Sequence, residues 1–146
     1  MLNDTMVTLQ GWLGADVQLR QAGDSTVASF RVGCTPRRFH RGRQEWVDGR
    51  TQWYTVNAWR ALGDHCARSL RRADPVVVHG RLTARTYINN AGVEVTALEV
   101  EACLVGHDLT RGTSEFTRAT RPAVEAGQGT GQGTGQGTGQ EAPSAA

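Results

Sequence analysis

The 146-residue chain contains no lysine, and all 16 of its basic residues are arginine. The surface therefore lacks compact ammonium charges and carries planar guanidinium forks, which suit phosphate oxygens and flat rings. Long apolar runs are also missing. No stretch approaches 18 consecutive apolar residues, and the first ten residues lack a basic start followed by an apolar segment. A membrane span or secretion signal is therefore not expected, and a cytoplasmic protein is. Cysteine is scarce: Cys34, Cys66 and Cys103 form no CxxC pair, and their odd number argues against a closed disulfide framework. Buried or half-buried free thiols are expected, with a bridge between subunits as the lesser alternative.

Catalytic signatures are absent as well. No GxSxG, Walker-type loop or HExxH occurs, and His40, His65, His79 and His107 lack metal-ligand spacing with one another or with the cysteines. His65 and Cys66 are neighbours in a helical segment, where adjacent side chains point about 100° apart and a thiol–base pair cannot easily meet. Carboxylates are scattered, without the close set that two-metal chemistry needs. Neither catalysis nor a cofactor is expected.

Apolar content is uneven. Of 28 Leu, Ile, Val and Phe residues, only Phe116 and Val124 lie beyond residue 110. Residues 1–110 can build a core, whereas residues 111–146 hold too little apolar surface to offset the entropy of folding. A folded domain over 1–110 and a disordered low-complexity tail over 111–146 are expected. From residue 127 the tail repeats Gly-Gln-Gly-Thr three times and continues Gly139-Gln140. As a Gly-rich coil, residues 122–146 would reach on the order of 25 to 30 Å. A tether and an inert solubilising tail both fit this composition.

Within the domain, Met6–Leu13 reads as a strand that bends at Gly11 and Gly14. After the turn-like Gln21-Ala22-Gly23-Asp24, Thr26–Cys34 alternates, with Ala28, Phe30, Val32 and Cys34 on one face. Pro36 interrupts it, and Arg37–Arg50 reads as an exposed loop or long hairpin arm. Trp53–Trp59 is a strand with Trp53, Thr55, Asn57 and Trp59 on one face and Tyr54, Val56 and Ala58 on the other. Over Ala61–Ala73 the period changes: Leu62, Cys66 and Leu70 form a helical stripe, with Arg68, Arg71 and Arg72 at the end that favours cations. Asp74-Pro75 stops the helix. Val76–Tyr87 and Val93–Val105 read as strands joined by the turn Asn89-Asn90-Ala91-Gly92, with Leu98, Val100, Ala102 and Leu104 facing in. Five strands with one helix after the third is the element order of the OB barrel, an all-β fold with one helix.

Charge is focused. Residues 31–60 carry seven arginines, Arg31, Arg37, Arg38, Arg41, Arg43, Arg50 and Arg60, against Glu45 and Asp48. Such a basic patch points to a polyanionic partner. Among the arginines, which include Arg81 and Arg85 further on, lie Phe39, Trp53, Trp59 and Tyr87. Flat rings beside cations can stack unpaired bases and neutralise phosphates, and nothing resembles a duplex-reading recognition helix, so single strands fit best. Each ring has a duller reading. Trp12, Trp46, Trp53 and Trp59, taken singly, are more often core or interface than ligand platforms. Phe39, set in Arg37-Arg38-Phe39-His40-Arg41, has no apolar sequence neighbour to pack on and is expected to be exposed.

These residues resemble the bacterial single-stranded DNA-binding protein (SSB) family over about residues 5–109. The matching stretches are Val7–Gly14, Val27–Gly33, Thr51–Trp59 and Val76–Leu82, the third being the most specific. The resemblance implies an OB fold, a homotetramer coated with single-stranded DNA, stacking rings at Phe39, Trp53, Trp59 and Tyr87, and Tyr54 at a subunit contact. It also implies a nucleoid-associated role in replication, recombination or repair. Phe39 and Tyr87 stand where family members often have Trp, which keeps stacking and reduces ring area. Family members that recruit replication and repair enzymes usually end in an acidic tip closing with Pro-Phe, whereas the sequence here reads Glu141-Ala142-Pro143-Ser144-Ala145-Ala146. The likeness is thus to a paralogue without that recruitment peptide. An OB-type interaction module with a protein partner on its Trp face, and an RNA-coating protein, remain open alternatives.

Overall fold

In the computed structural model, which describes residues 2–120, the chain forms eight strands and one helix. In order these are β1 (Met6–Leu13), β2 (Gln18–Ala22), β3 (Ser25–Cys34), β4 (Arg37–His40), β5 (Glu45–Asp48), β6 (Gln52–Trp59), α1 (Arg60–Ser69), β7 (Pro75–Ile88) and β8 (Glu94–His107). Residues 2–114 form one compact unit. The Gly-Gln-Gly-Thr repeats and the residues after them lie outside the described residues.

β1 pairs with β7 along Met6–Trp12 and crosses to β3 at Trp12 and Leu13. With the pairings β7–β8, β8–β6 and β6–β3, this crossing closes a ring of five strands, and β2 lies outside it along β3. Every neighbour in the ring is antiparallel except β6 and β8. The crossing needs two backbones in contact: a Cβ on Gly11 would run into the Gly33 carbonyl. The result is an OB barrel with its helix between the third and fourth barrel strands.

Strand alternation sends one side chain in two to the interior. Leu9, Leu13, Ala28, Phe30, Val32, Val56, Ala58, Val76, Val78 and Val100 form the core, joined by Cys66 and Leu70 from the helical segment. Leu62 packs against the same cluster, as the four-residue stripe predicts. The helix approaches the sheet closely because Gly63 has no Cβ; one would lie 3.2 Å from the Ala28 methyl.

Four expectations change. First, β2 was not anticipated, because its one large apolar side chain, Leu19, is exposed and leaves no alternation to read. Second, the helix ends at Ser69 rather than Ala73. Leu70 is already extended, and beyond it the chain finds better partners: the Asp74 carboxylate accepts the Arg71 N–H at 2.9 Å, and Ala73 N–H donates to the Leu13 carbonyl at 2.9 Å. Arg71 instead caps the helix from outside, its guanidinium donating to the Ala67 and Leu70 carbonyls.

Third, Leu104 faces out and is 67% exposed. Opposite His79 and Gly80 the β8 register skips Cys103, and this bulge reverses the alternation so that Val105 packs on the core instead. Fourth, the same bulge leaves Cys103 exposed, whereas Cys66 is buried and Cys34 half-buried. Burial pushes the Cys66 thiol up to about 11. It also raises Cys34, against an opposing backbone hydrogen bond with Gln10.

Leu13 is 1% exposed at the point where β1 changes partners. Leu13→Ala is expected to lower stability by about 2 to 5 kcal/mol, read as a shifted urea midpoint with the same slope.

Candidate nucleic-acid interface

The pairing registers assemble the outer face of the barrel. Gly33 stands beside Trp53, Arg31 beside Thr55, and Ser29 beside Asn57. On the other side of β6, Thr55 and Asn57 adjoin Glu99 and Glu101 of β8, which face Thr83 and Arg81 of β7. Trp53, Trp59, Arg31 and Arg81 thus share one sheet surface, as the alternation along β6 requires. Further along β7 on the same side come Arg85 and Tyr87.

Glycine sets the position of Trp53. A Cβ on Gly14 would lie 2.6 Å from its six-membered ring, and one on Gly33 would lie 3.0 Å away. Trp12 meets Trp53 edge to face, with centroids 6.4 Å apart and planes at 78°. The Arg31 guanidinium lies 5.0 Å from the Trp53 centroid, within cation–π range. Trp59 is held at its other end, its indole N–H donating to Glu101 at 2.7 Å. Asn57 donates to the second Glu101 oxygen at 3.4 Å and accepts from the Ser29 hydroxyl at 2.7 Å. This network orients the Trp59 ring and places a carboxylate on the aromatic face. The Arg81 Nε is buried without a hydrogen-bond partner among the described residues.

Phe39 sits on the β4–β5 hairpin, whose base is pinned by Gly49 N–H donating to the Pro36 carbonyl at 2.6 Å and by a 2.6 Å bond between the Thr35 and Thr51 hydroxyls. Its ring is 49% exposed, yet it does have an apolar neighbour. Trp46 stands directly across the hairpin, with centroids 5.6 Å apart and planes at 66°. The local sequence concealed the contact because it is made by strand pairing. Folding the arm about Gly42 brings positions 39 and 46 opposite one another, and that symmetry is the signal that would have revealed Trp46. At 61% exposure, Trp46 is the most accessible tryptophan.

The candidate arginines divide by partner. Arg37 pairs with Asp48 at 3.0 Å, Arg43 with Glu45 at 3.9 Å, and Arg85 with Glu99 at 3.7 Å. Arg85 also lies 5.8 Å from the Tyr87 ring centroid. Arg31, Arg38, Arg41, Arg50 and Arg81 form no ion pair among the described residues. Tyr54 faces away from Trp53 and Trp59, packs against the core, and donates its hydroxyl to Gln52 at 2.9 Å. Among the described residues no group of three His, Cys, Asp or Glu converges to hold a metal ion, and no helix is long and apolar enough to cross a membrane.

Residues 4–107 match the family described as the single-strand binding protein family. The chain belongs to that family. Among similar proteins, "Single-stranded DNA-binding protein 2" of Streptomyces avermitilis is 40% identical over 126 residues, covering 86% of this chain and 79% of the relative. A single-stranded DNA-binding protein of Bifidobacterium longum is 38% identical over 81% of this chain, which spans only 55% of that relative's length. In structure, this single-strand binding family member resembles the small single-stranded DNA-binding protein of Streptomyces coelicolor, with TM-score 0.71 and 35% identity over 76% of this chain and 100% of the other. It also resembles the second single-stranded DNA-binding protein of Mycobacterium smegmatis, with TM-score 0.59 and 29% identity over 79% and 99% of the two chains.

Because an aromatic ring cannot shrink, Gly14→Ala must displace Trp53. The expected outcome is a shifted tryptophan emission maximum and altered near-ultraviolet circular dichroism, with the far-ultraviolet spectrum unchanged. Unaltered spectra in both ranges would show that Gly14 does not set the ring's position.

Proposed function

We propose that the protein binds and coats single-stranded DNA without reading base sequence, protecting it during replication, recombination or repair. Exposure of the rings carries this reading: Phe39, Trp46, Trp53, Trp59 and Tyr87 all keep 40% or more of their surface in water, with arginines beside them. Rings that fold into a core leave no face for a base, and these five do. Stacking is worth about 1 to 3 kcal/mol per base and tolerates any sequence, because every base has a π face. Arginine neutralisation of phosphates adds a salt-dependent contribution. Glu99 and Glu101 lie between the β6 and β7 platforms, so the phosphates run along Arg31, Arg38, Arg41 and Arg50 in preference to the centre of the sheet. The names borne by the relatives agree with this chemistry. It calls for no bond making, so the protein acts as a binder and not an enzyme.

Tryptophan emission titrated with oligo(dT) is expected to quench strongly and to recover with salt, while an equal length of duplex quenches little. An equal response to duplex would favour an interaction module with a protein partner, and stronger quenching by oligo(rU) would favour RNA coating. Phe39→Ala is expected to cost about 1 to 3 kcal/mol of binding, and unchanged affinity would remove Phe39 from the interface.

Self-association belongs to the same reading. Outside the barrel, Thr8 on β1, Val77 and His79 on β7, and Leu104 and Gly106 on β8 form a strip without formal charge, and the Thr8 hydroxyl bonds His79 at 2.9 Å. The bulge turns Leu104 into this face, where a second copy would cover it. With Tyr54 at a further subunit contact, several copies would offer several grooves to one strand. The native mass is expected to be that of four chains, and Leu104→Arg to yield smaller species by light scattering. A wild-type monomer would refute the assembly.

A further inference from the structure

Beyond its edge-on contact with Trp53, Trp12 continues the aromatic interface. Trp12, Gly33 and Trp53 stand in register across β1, β3 and β6, so both indoles project from the outer face. A Cβ on Gly33 would crowd Trp53 at 3.0 Å and touch Trp12 at 3.4 Å, so the glycine lies beneath both rings and leaves Trp53 its room. Trp12 keeps 37% of its surface exposed. Beside it opens a groove of about 840 Å³, also bordered by Gln10, Gln52, Arg37 and Arg111. That volume lies within the roughly 300 to 1,000 Å³ range of small-ligand sites.

The polar groups around the groove suit a nucleotide. The Gln52 carbonyl accepts the Tyr54 hydroxyl and the Gln10 amide donates to Asp108 at 2.8 Å. The Gln52 amide N–H and the Gln10 amide oxygen therefore have no side-chain partner among the described residues. Asp108 also borders the groove, but its oxygens are taken by Gln10 and by the Thr110 N–H and hydroxyl. These bonds hold its carboxyl below the usual value. Arg37 spends its Nε on Asp48, leaving the other donors of its fork, and Arg111 forms no ion pair among the described residues.

We infer that the groove beside Trp12 is a further nucleotide subsite for the single strand, with a base on the Trp12 ring and phosphate oxygens on Arg37 and Arg111. The inference rests on the single-strand reading above and extends the strand's path from Trp53 across β1. Trp12 is a platform in its own right, and not merely a prop for Trp53.

Because every basic residue is arginine, arginine-specific cleavage separates the tryptophans. Trp12 falls on the fragment ending at Arg20, Trp46 on the one ending at Arg50, and Trp53 with Trp59 on the one ending at Arg60. Full-length protein irradiated with oligo(dT) carrying 5-iododeoxyuridine should crosslink through Trp12 on the first fragment. Trp12→Ala should weaken oligo(dT) binding about 5-fold to 150-fold, as loss of one stacked base implies, and Trp12→Phe should recover most of it. Arg111→Ala, remote from the Trp53 contact, should lower the slope of log affinity against log salt by about 1. If oligo(dT) binds and crosslinks appear only on the other fragments, or Trp12→Ala binds as wild type, the subsite is refuted and single-strand binding stands. If wild-type protein does not bind oligo(dT), the single-strand reading fails first.

Discussion

Barrel closure depends on the two-residue contact between β1 and β3. β1 must leave β7 and reach β3 within Trp12 and Leu13, which is possible because Gly11 has no Cβ to strike the Gly33 carbonyl. The same absence of side chains gives Trp53 its place, since its ring crosses Gly14 and Gly33. Closure of the core and presentation of the aromatic face therefore meet at Gly33, whose carbonyl lies against Gly11 and whose open side takes the Trp53 ring. A side chain at Gly33 would crowd the Trp53 ring.

Once the barrel is closed, strand alternation divides the work. Small and branched residues such as Val32, Val56 and Val100 fill the interior, while Arg31, Trp53 and Glu101 at alternate positions of the same strands stand outside. Half-exposed aromatic surface is unfavourable in water, and the structure supports it in three ways. Arg31 covers Trp53, Glu101 holds the Trp59 N–H, and Trp46 braces Phe39. Each support restricts a ring while leaving a face for a base, so less entropy is lost when the strand binds.

Much of the barrel was legible because its signals are local. The β3 and β6 alternations, the helical stripe of Leu62, Cys66 and Leu70, and the Asn89–Gly92 turn each lie within a few residues. The turn forms as expected, with the Asn89 carboxamide accepting from Ala91 and Val93 N–H and Gly92 at φ 78°. The misreadings came from partners distant in sequence. The helix stops early because Ala73 bonds Leu13, and Leu104 turns outward because β8 bulges against β7. Neither event leaves a mark in its own segment.

The candidate interface follows the same division. By itself the sequence determined the materials: arginine as the sole cation, their concentration between residues 31 and 60, and flat rings set among them. These follow from composition and period, which need no neighbours. Only the tertiary structure decided which rings meet. The pairs Phe39 with Trp46 and Trp12 with Trp53 arise from strand registers, and the groove beside Trp12 arises where β1, the base of the β4–β5 arm and the chain after β8 converge. Register is a property of paired strands, set by hydrogen bonds across tens of residues, and it belongs to no single stretch of sequence.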